Sequence, residues 1–295
     1  MENSVEDFLI YVKESKKMSE NTVVSYRRDL KGMLSYFEKQ GIESLEKVTS
    51  TNINSYILFL EKNGKSPASI SRSISSMRAY FRYLLIHGVI KGEPTEKITM
   101  PKVEKKVPSV ITAGQIEDII KAANGSDQKS IRDRAMLELL YATGMRVSEL
   151  ISLNVDDINL QLSYVICRNA KKERVIPFGN KAKQSLSKYL SKARPALMQD
   201  NNMFLFVNCF GKQMSRQGFW KIIKEYANKA GIKEEISPHT IRHSFGAHLI
   251  GNGADVKSVQ QMMGHVDIAS TEVYRRMESE NLRSVYEKAH PRGKR

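Results

Sequence analysis

The sequence predicts a mainly α-helical, α+β protein in two units: a helical bundle, then a larger mixed unit carrying one small β-hairpin or sheet. Three observations carry this. Apolar residues at helical spacing, opened by Ser or Thr caps and closed by glycines, fill the N-terminal part and much of the remainder. Only SYVICRNAKKERVIPFG pairs two short β-prone runs across a polar turn. Between the two units, KITMPKVEKKVPSVI holds two prolines, four lysines and no helical period.

Taken in order, VEDFLIYVKESKK is amphipathic, and SENTVVSYRRDLKGMLSYFEKQG follows with Ser19 as cap and Gly41 as stop. STNINSYILFLEKNG ends at Gly64. SPASISRSISSMRAYFRYLLIHG opens on Ser66 and Pro67 and stops at Gly88; its stripe of Ile70, Ile74, Met77, Phe81 and Leu84 predicts a core face, with Ser69, Arg72, Ser75, Arg78 and Arg82 pointing elsewhere. These four segments make residues 1–96 a small bundle. Residues 97–111 form the extended basic linker, and the second unit, 112–295, opens on a capping box of Thr112 and Gln115. There SIRDRAMLELLYATG is expected to run from a Ser130 cap to a Gly144 stop, and MRVSELISLNVDDI resumes after it. Beyond the hairpin, NKAKQSLSKYLSKARPALM, SRQGFWKIIKEYANKAG, SPHTIRHSFGAHLIGNG and DVKSVQQMMG read as helices.

Composition narrows the partner. The 295 residues carry 47 basic and 32 acidic side chains, a net charge of +15, which favours a polyanion, nucleic acid before an anionic membrane. The two cysteines, Cys167 and Cys209, build neither a disulfide framework nor a four-cysteine zinc site and fit a cytoplasmic protein. The N-terminus lacks the basic start and apolar core of a signal peptide, and no apolar run is long enough to span a bilayer.

Chemistry-bearing residues stand beside structural stops. In SPHTIRHSFGAHLIGNG, Ser237 and Pro238 fix a helix start. His239 and Arg242 then share a face near free backbone N–H groups and the positive end of the helix dipole, which suits an anion. Gly246 on that face is read as room for an approaching group. Arg146 follows the Gly144 stop, Lys171 and Lys172 sit at the hairpin tip, His265 follows Gly264, and Tyr274 lies in STEVYRRM. Singly, each has a plain structural reading: a salt-bridging arginine, solubilising lysines, a capping histidine, a core aromatic. Together they do not.

ATGMRVSEL, KKERVIPFG, SPHTIRHSFGAHLI, MMGH and STEVY resemble, in order and spacing, the signature boxes of the tyrosine recombinases, or phage-integrase family. The tail VYEKAHPRGKR and the compact size resemble its bacterial Xer branch. The resemblance implies a SAM-like core-binding domain followed by a catalytic domain of the DNA breaking-rejoining type. It implies that Tyr274 attacks a phosphodiester of double-stranded DNA to give a 3′-phosphotyrosyl link. Arg146 and Arg242 then clamp the nonbridging oxygens, His265 donates to the same phosphate, a hairpin lysine protonates the leaving 5′-oxygen and His239 assists proton transfer. It further implies no metal and no cofactor, a homo- or heterotetramer on paired recombination sites, a second related recombinase and a DNA translocase as further partners, and docking of residues from about 281 to 295 on a neighbour. The chain departs from the family at the hairpin: matching its Lys-Glu-Arg box puts Asn169 where the lysine is expected, with Arg168, Lys171 and Lys172 nearby. Lys171 is assigned as the nearest to the tip. Arg275 and Arg276 replace the Thr-His pair commoner after the tyrosine. Rival readings are a mobile-element integrase of the same chemistry, a non-catalytic DNA-binding protein, and a metal-dependent hydrolase using His239 and His243 with His248 or His265.

Overall fold

The computed structural model describes residues 2–101, 109–169, 172–198, 202–264 and 289–292. The chain divides into two compact units, residues 1–106 and 107–295.

The first unit is the expected bundle, of α1 (Glu2–Glu14), α2 (Glu20–Lys39), α3 (Ser50–Lys62) and α4 (Pro67–Ile86). Ser19 and Ser66 cap α2 and α4 as the sequence indicates, each accepting a backbone N–H, and Thr49 does the same for α3. The α4 stripe of Ile70, Ile74, Met77, Phe81 and Leu84 is buried against Phe8, Leu30, Phe37 and Ile53. On the far side of α4, Arg72 forms a two-pronged ion pair with Asp29 of α2, both contacts at 2.8 Å. The bundle core continues past α4 to Ile90 and Ile98, and Arg78 donates to the Ile98 carbonyl. The first apolar residue of the lysine-rich stretch is thus folded onto the bundle.

In the second unit, α5 (Ala113–Ala122) starts with the Thr112–Gln115 capping box. The helix α6 (Gln128–Thr143) is buried almost all round and is the central strut. Its cap is Asp127, not Ser130: the Asp127 carboxylate accepts the Ser130 backbone N–H at 3.0 Å and the Ser130 hydroxyl at 2.5 Å. A carboxylate in this position also meets the positive helix end, which a serine three residues later cannot. Gly144 ends α6 in the left-handed conformation. After α7 (Val147–Ser152) comes a three-stranded antiparallel sheet of β1 (Ile158–Asn159), β2 (Tyr164–Asn169) and β3 (Lys172–Pro177). The β2–β3 hairpin is the expected one; β1 adds a two-residue edge that is too short to show a period-two pattern.

The segment read as one helix after the hairpin is α8 (Asn180–Lys188), a wider π turn over Tyr189–Ala193, and α9 (Arg194–Leu197). Pro195 explains the widening, since proline donates no hydrogen bond and its ring crowds the preceding turn. Three helices complete the unit: α10 (Arg216–Lys229), α11 (Pro238–Gly251) and α12 (Val256–Met263).

Residues 289–292 are seated in the core of their own chain. The His290 ring lies 4.8 Å from Tyr141 and 5.3 Å from Phe245, and Arg292 grips the buried Glu138 of α6 at 2.7 and 2.8 Å. The expected tail on a neighbour falls mostly on residues outside those described; these four occupy their own unit.

Burial, and then the charges of Arg292 and His248, push the His290 imidazole down to about 3. A released tail titrates near 6.5, so above that pH both states are neutral and docking is at full strength. As pH falls below about 6.5 only the released state takes the proton, and docking weakens by up to ~10-fold per unit until the folded value is reached. Opening of the 289–292 segment, read as amide exchange divided by its intrinsic rate at each pH, should therefore rise between pH 7.5 and 5.5. His290→Leu should remove the rise, which separates it from titration of Glu138. An opening fraction unchanged over this range contradicts the assignment.

Candidate active site

Three segments line one cleft, the α6–α7 junction and the starts of α10 and α11, and the end of α12 accepts hydrogen bonds from its arginines. Arg146 is the N-cap of α7. Its backbone N–H donates to Glu149 Oε2 at 2.7 Å, and its guanidinium donates to Glu149 Oε1 at 3.2 Å and to the Gly264 carbonyl at 2.9 Å. The side chain is about one-third exposed, so one edge stays open to the cleft.

The N-terminus of α11 is built as the sequence indicates. The Ser237 hydroxyl accepts the Thr240 N–H at 3.1 Å, and Pro238 occupies the first turn. His239 is exposed at the cleft, whereas Arg242, one turn on, is only 5% exposed. Arg242 donates to the Gly144 and Met263 carbonyls, both at 2.5 Å. Among the described residues no carboxylate stands within ion-pair distance of it. Burial, then the positive charges of Arg146 and Arg174, lower its guanidinium to about 10, with Glu149 opposing. The cleft is lined by Arg146, Arg242 and His239 together with Ser148, Arg216 and Trp220.

Gly246 does not serve the role read from the sequence. A Cβ there would lie 3.0 Å from Met263 Sδ, so the glycine admits α12 rather than a ligand. The same face of α11 that presents Arg242 is covered by packing one turn later. His248 likewise turns inward, its Nδ1 2.9 Å from the Tyr141 hydroxyl, away from His239.

Of the expected site residues, Arg146, His239 and Arg242 are brought together. Lys171, His265 and Tyr274 lie outside the described residues, but residues flanking the first two are described. Gly264, which precedes His265, is bonded to Arg146, and the β2–β3 register pairs Asn169 with Lys172, leaving Ala170 and Lys171 between them. Arg168, one rung from the tip, is engaged with Asp157.

Glu149 and Arg174 were not singled out from the sequence. Glu149 had a usable signal, since it stands three residues after Arg146, at capping-box spacing. Its carboxyl is held below the usual range: burial opposes this, but Arg174, the Arg146 backbone N–H and both guanidinium charges outweigh it. Arg174 had a fainter one, an arginine in phase with Ile176 on the apolar face of a strand. Trp220, with Lys224 stacked 4.0 Å over its ring, had none.

Residues 5–88 match the phage integrase N-terminal SAM-like domain, and residues 109–281 match the phage integrase family. The chain is 42% identical over 296 residues to the tyrosine recombinase XerD of Oceanobacillus iheyensis, covering 99% of each. It is 40% identical to XerD of Listeria innocua, covering 99% of this chain and 100% of that one. Among solved structures, the XerH site-specific recombinase bound to its difH substrate matches with a TM-score of 0.72 at 20% identity, over 92% of this chain and 81% of that one, a likeness of fold. Family match, full-length relatives and a cleft of paired arginines agree: this chain belongs to the phage integrase family and is a tyrosine recombinase of the Xer type.

Proposed function

We propose that the cleft binds the scissile phosphate of a double-stranded DNA site, and that Tyr274 opens the strand there through a 3′-phosphotyrosyl intermediate. The observation that supports this most is Arg242, a buried cation whose hydrogen bonds go to backbone carbonyls and which has no carboxylate partner among the described residues. Burying a charge without a counter-ion is costly. A phosphate diester entering beside Arg146 supplies the missing negative charge, and that charge grows on the nonbridging oxygens in the transition state.

In the forward step Tyr274 Oη forms a bond to phosphorus while the bond from phosphorus to the 5′-oxygen breaks. The phenolic proton leaves through His239, which stands at the cleft, and Lys171 gives a proton to the departing oxygen. His265, the residue after the arginine-bound Gly264, donates to the same phosphate. The 5′-hydroxyl of a second strand then reverses these steps and frees the tyrosine, so the phosphodiester energy is kept and hydrolysis is avoided. Two exchanging duplexes require a tetramer of recombinases, of this chain alone or with a second related one. Its cellular task on this reading is resolution of chromosome or plasmid dimers in the cytoplasm at cell division, activated by a DNA translocase.

A nicked suicide duplex carrying the site, recovered by sequencing genomic DNA trapped on the protein, tests the reading. An SDS-resistant adduct that forms equally in EDTA supports it. EDTA-sensitive nicking with no adduct would overturn it.

A further inference from the structure

We propose that Arg174 is a positioning residue of the cleavage reaction, fixing the arginine clamp and the end of α12 in one register. The inference rests on the reading that Arg146 and Arg242 hold the scissile phosphate.

Strand geometry places Arg174 directly opposite Cys167, with Val165 paired to Ile176 one step along the same face, and those three neighbours are fully buried. An arginine on that face is costly unless its donors are used. Here Nε donates to the Met262 carbonyl at 2.9 Å, while Nη1 and Nη2 fork onto the two oxygens of Glu149 at 2.9 and 2.8 Å. Glu149 also accepts the Arg146 backbone N–H and guanidinium, so one carboxylate ties the two arginines together.

The second tie runs to α12. Its last carbonyls have no partner within the helix and carry the negative end of the helix dipole. Three guanidinium groups take three successive ones: Arg174 takes Met262, Arg242 takes Met263 and Arg146 takes Gly264. The residue that follows is His265. The Arg174 guanidinium packs closely over Gly264, where a Cβ would lie 2.9 Å from Cζ and Nη1. Arg174 thus joins β3, α7 and α12 at one point. It is not among the residues lining the cleft, so it acts through Arg146 and the α12 end rather than on DNA. Lysine cannot replace it, having one point charge where this place needs a planar fork and a third donor.

The test compares Arg174→Met, Arg174→Lys, Arg242→Met and Lys171→Ala at saturating DNA. Two nicked substrates are used, one ordinary and one with sulfur at the bridging 5′-position, a leaving group that needs no proton. Arg174→Met and Arg174→Lys are expected to bind DNA within about twofold of the parent and to cleave ~10–100-fold more slowly, the usual range for a supporting residue. Sulfur should restore Lys171→Ala but neither Arg174 variant. Should Arg174→Met fail to fold, Arg174→Lys keeps the charge and carries the test. Parental cleavage by a folded Arg174 variant while Arg242→Met is inactive overturns the inference alone. Rescue of the Arg174 variants by sulfur also overturns it, since the arginine would then act through the hairpin acid. Parental cleavage by Arg242→Met overturns the phosphate-clamp reading beneath it.

Discussion

Replacing Arg242 by Met is expected to lower the single-turnover cleavage rate by about 10³-fold or more, the scale seen when a transition-state arginine is lost. Arg242→Lys should lose less, roughly 10²-fold, because the charge remains but the two-pronged hold on a phosphate is gone. Stability should move little, for two opposed reasons. The Gly144 and Met263 carbonyls lose their donors, at about 1–3 kcal/mol each. Against that, a buried guanidinium without a counter-ion, already lowered to about 10, is removed from the interior. Rapid-quench cleavage alongside thermal melting checks both halves. An Arg242→Met protein that cleaves within tenfold of the parent would show that the cation serves the fold and not the phosphate.

The sequence was most legible where a helix announces its own ends. Ser19, Ser66, Thr112, Ser237 and Gly144 all stand at the boundaries they signal, because caps and left-handed stops are local chemistry. The cap of α6 was displaced because Asp127 and Ser130 are both good capping residues, and only the turn geometry decides which side chain meets the free N–H groups. The π turn at Tyr189 was hidden because Pro195 sits in an otherwise unbroken helical pattern.

In the site, the pairing of Arg146 with Arg242 followed from their order among the signature boxes, and the structure brings both to one cleft. What the boxes could not convey is how the arginines are held. The links from Glu149 to Arg174 and from Arg174 to Met262 cross between a helix, a strand and a second helix far apart in the chain. Gly246 shows the opposite error. A glycine beside two cationic residues suggested a ligand, whereas Met263 fills the space, a contact that no spacing within α11 can reveal.

The largest effect is expected at Tyr274. An unperturbed phenol titrates near 10 and is a poor nucleophile at neutral pH, so the proposed reaction depends on the cations and the histidine of the cleft. Arg275 and Arg276, directly after it, add two further positive charges. On the proposed chemistry, removing the single oxygen in Tyr274→Phe takes away the atom that bonds to phosphorus and leaves Arg146 and Arg242 unchanged. DNA affinity should stay within about twofold, since phosphate contacts supply most of it, while adduct formation should fall below detection. The most direct measurement is therefore proteolysis and mass spectrometry of the SDS-resistant adduct, run beside trapping with the Tyr274→Phe protein. A nucleotide-bearing peptide that contains Tyr274, and no adduct from the variant, is the predicted result. An adduct that persists in Tyr274→Phe, or that maps to another residue, would contradict it.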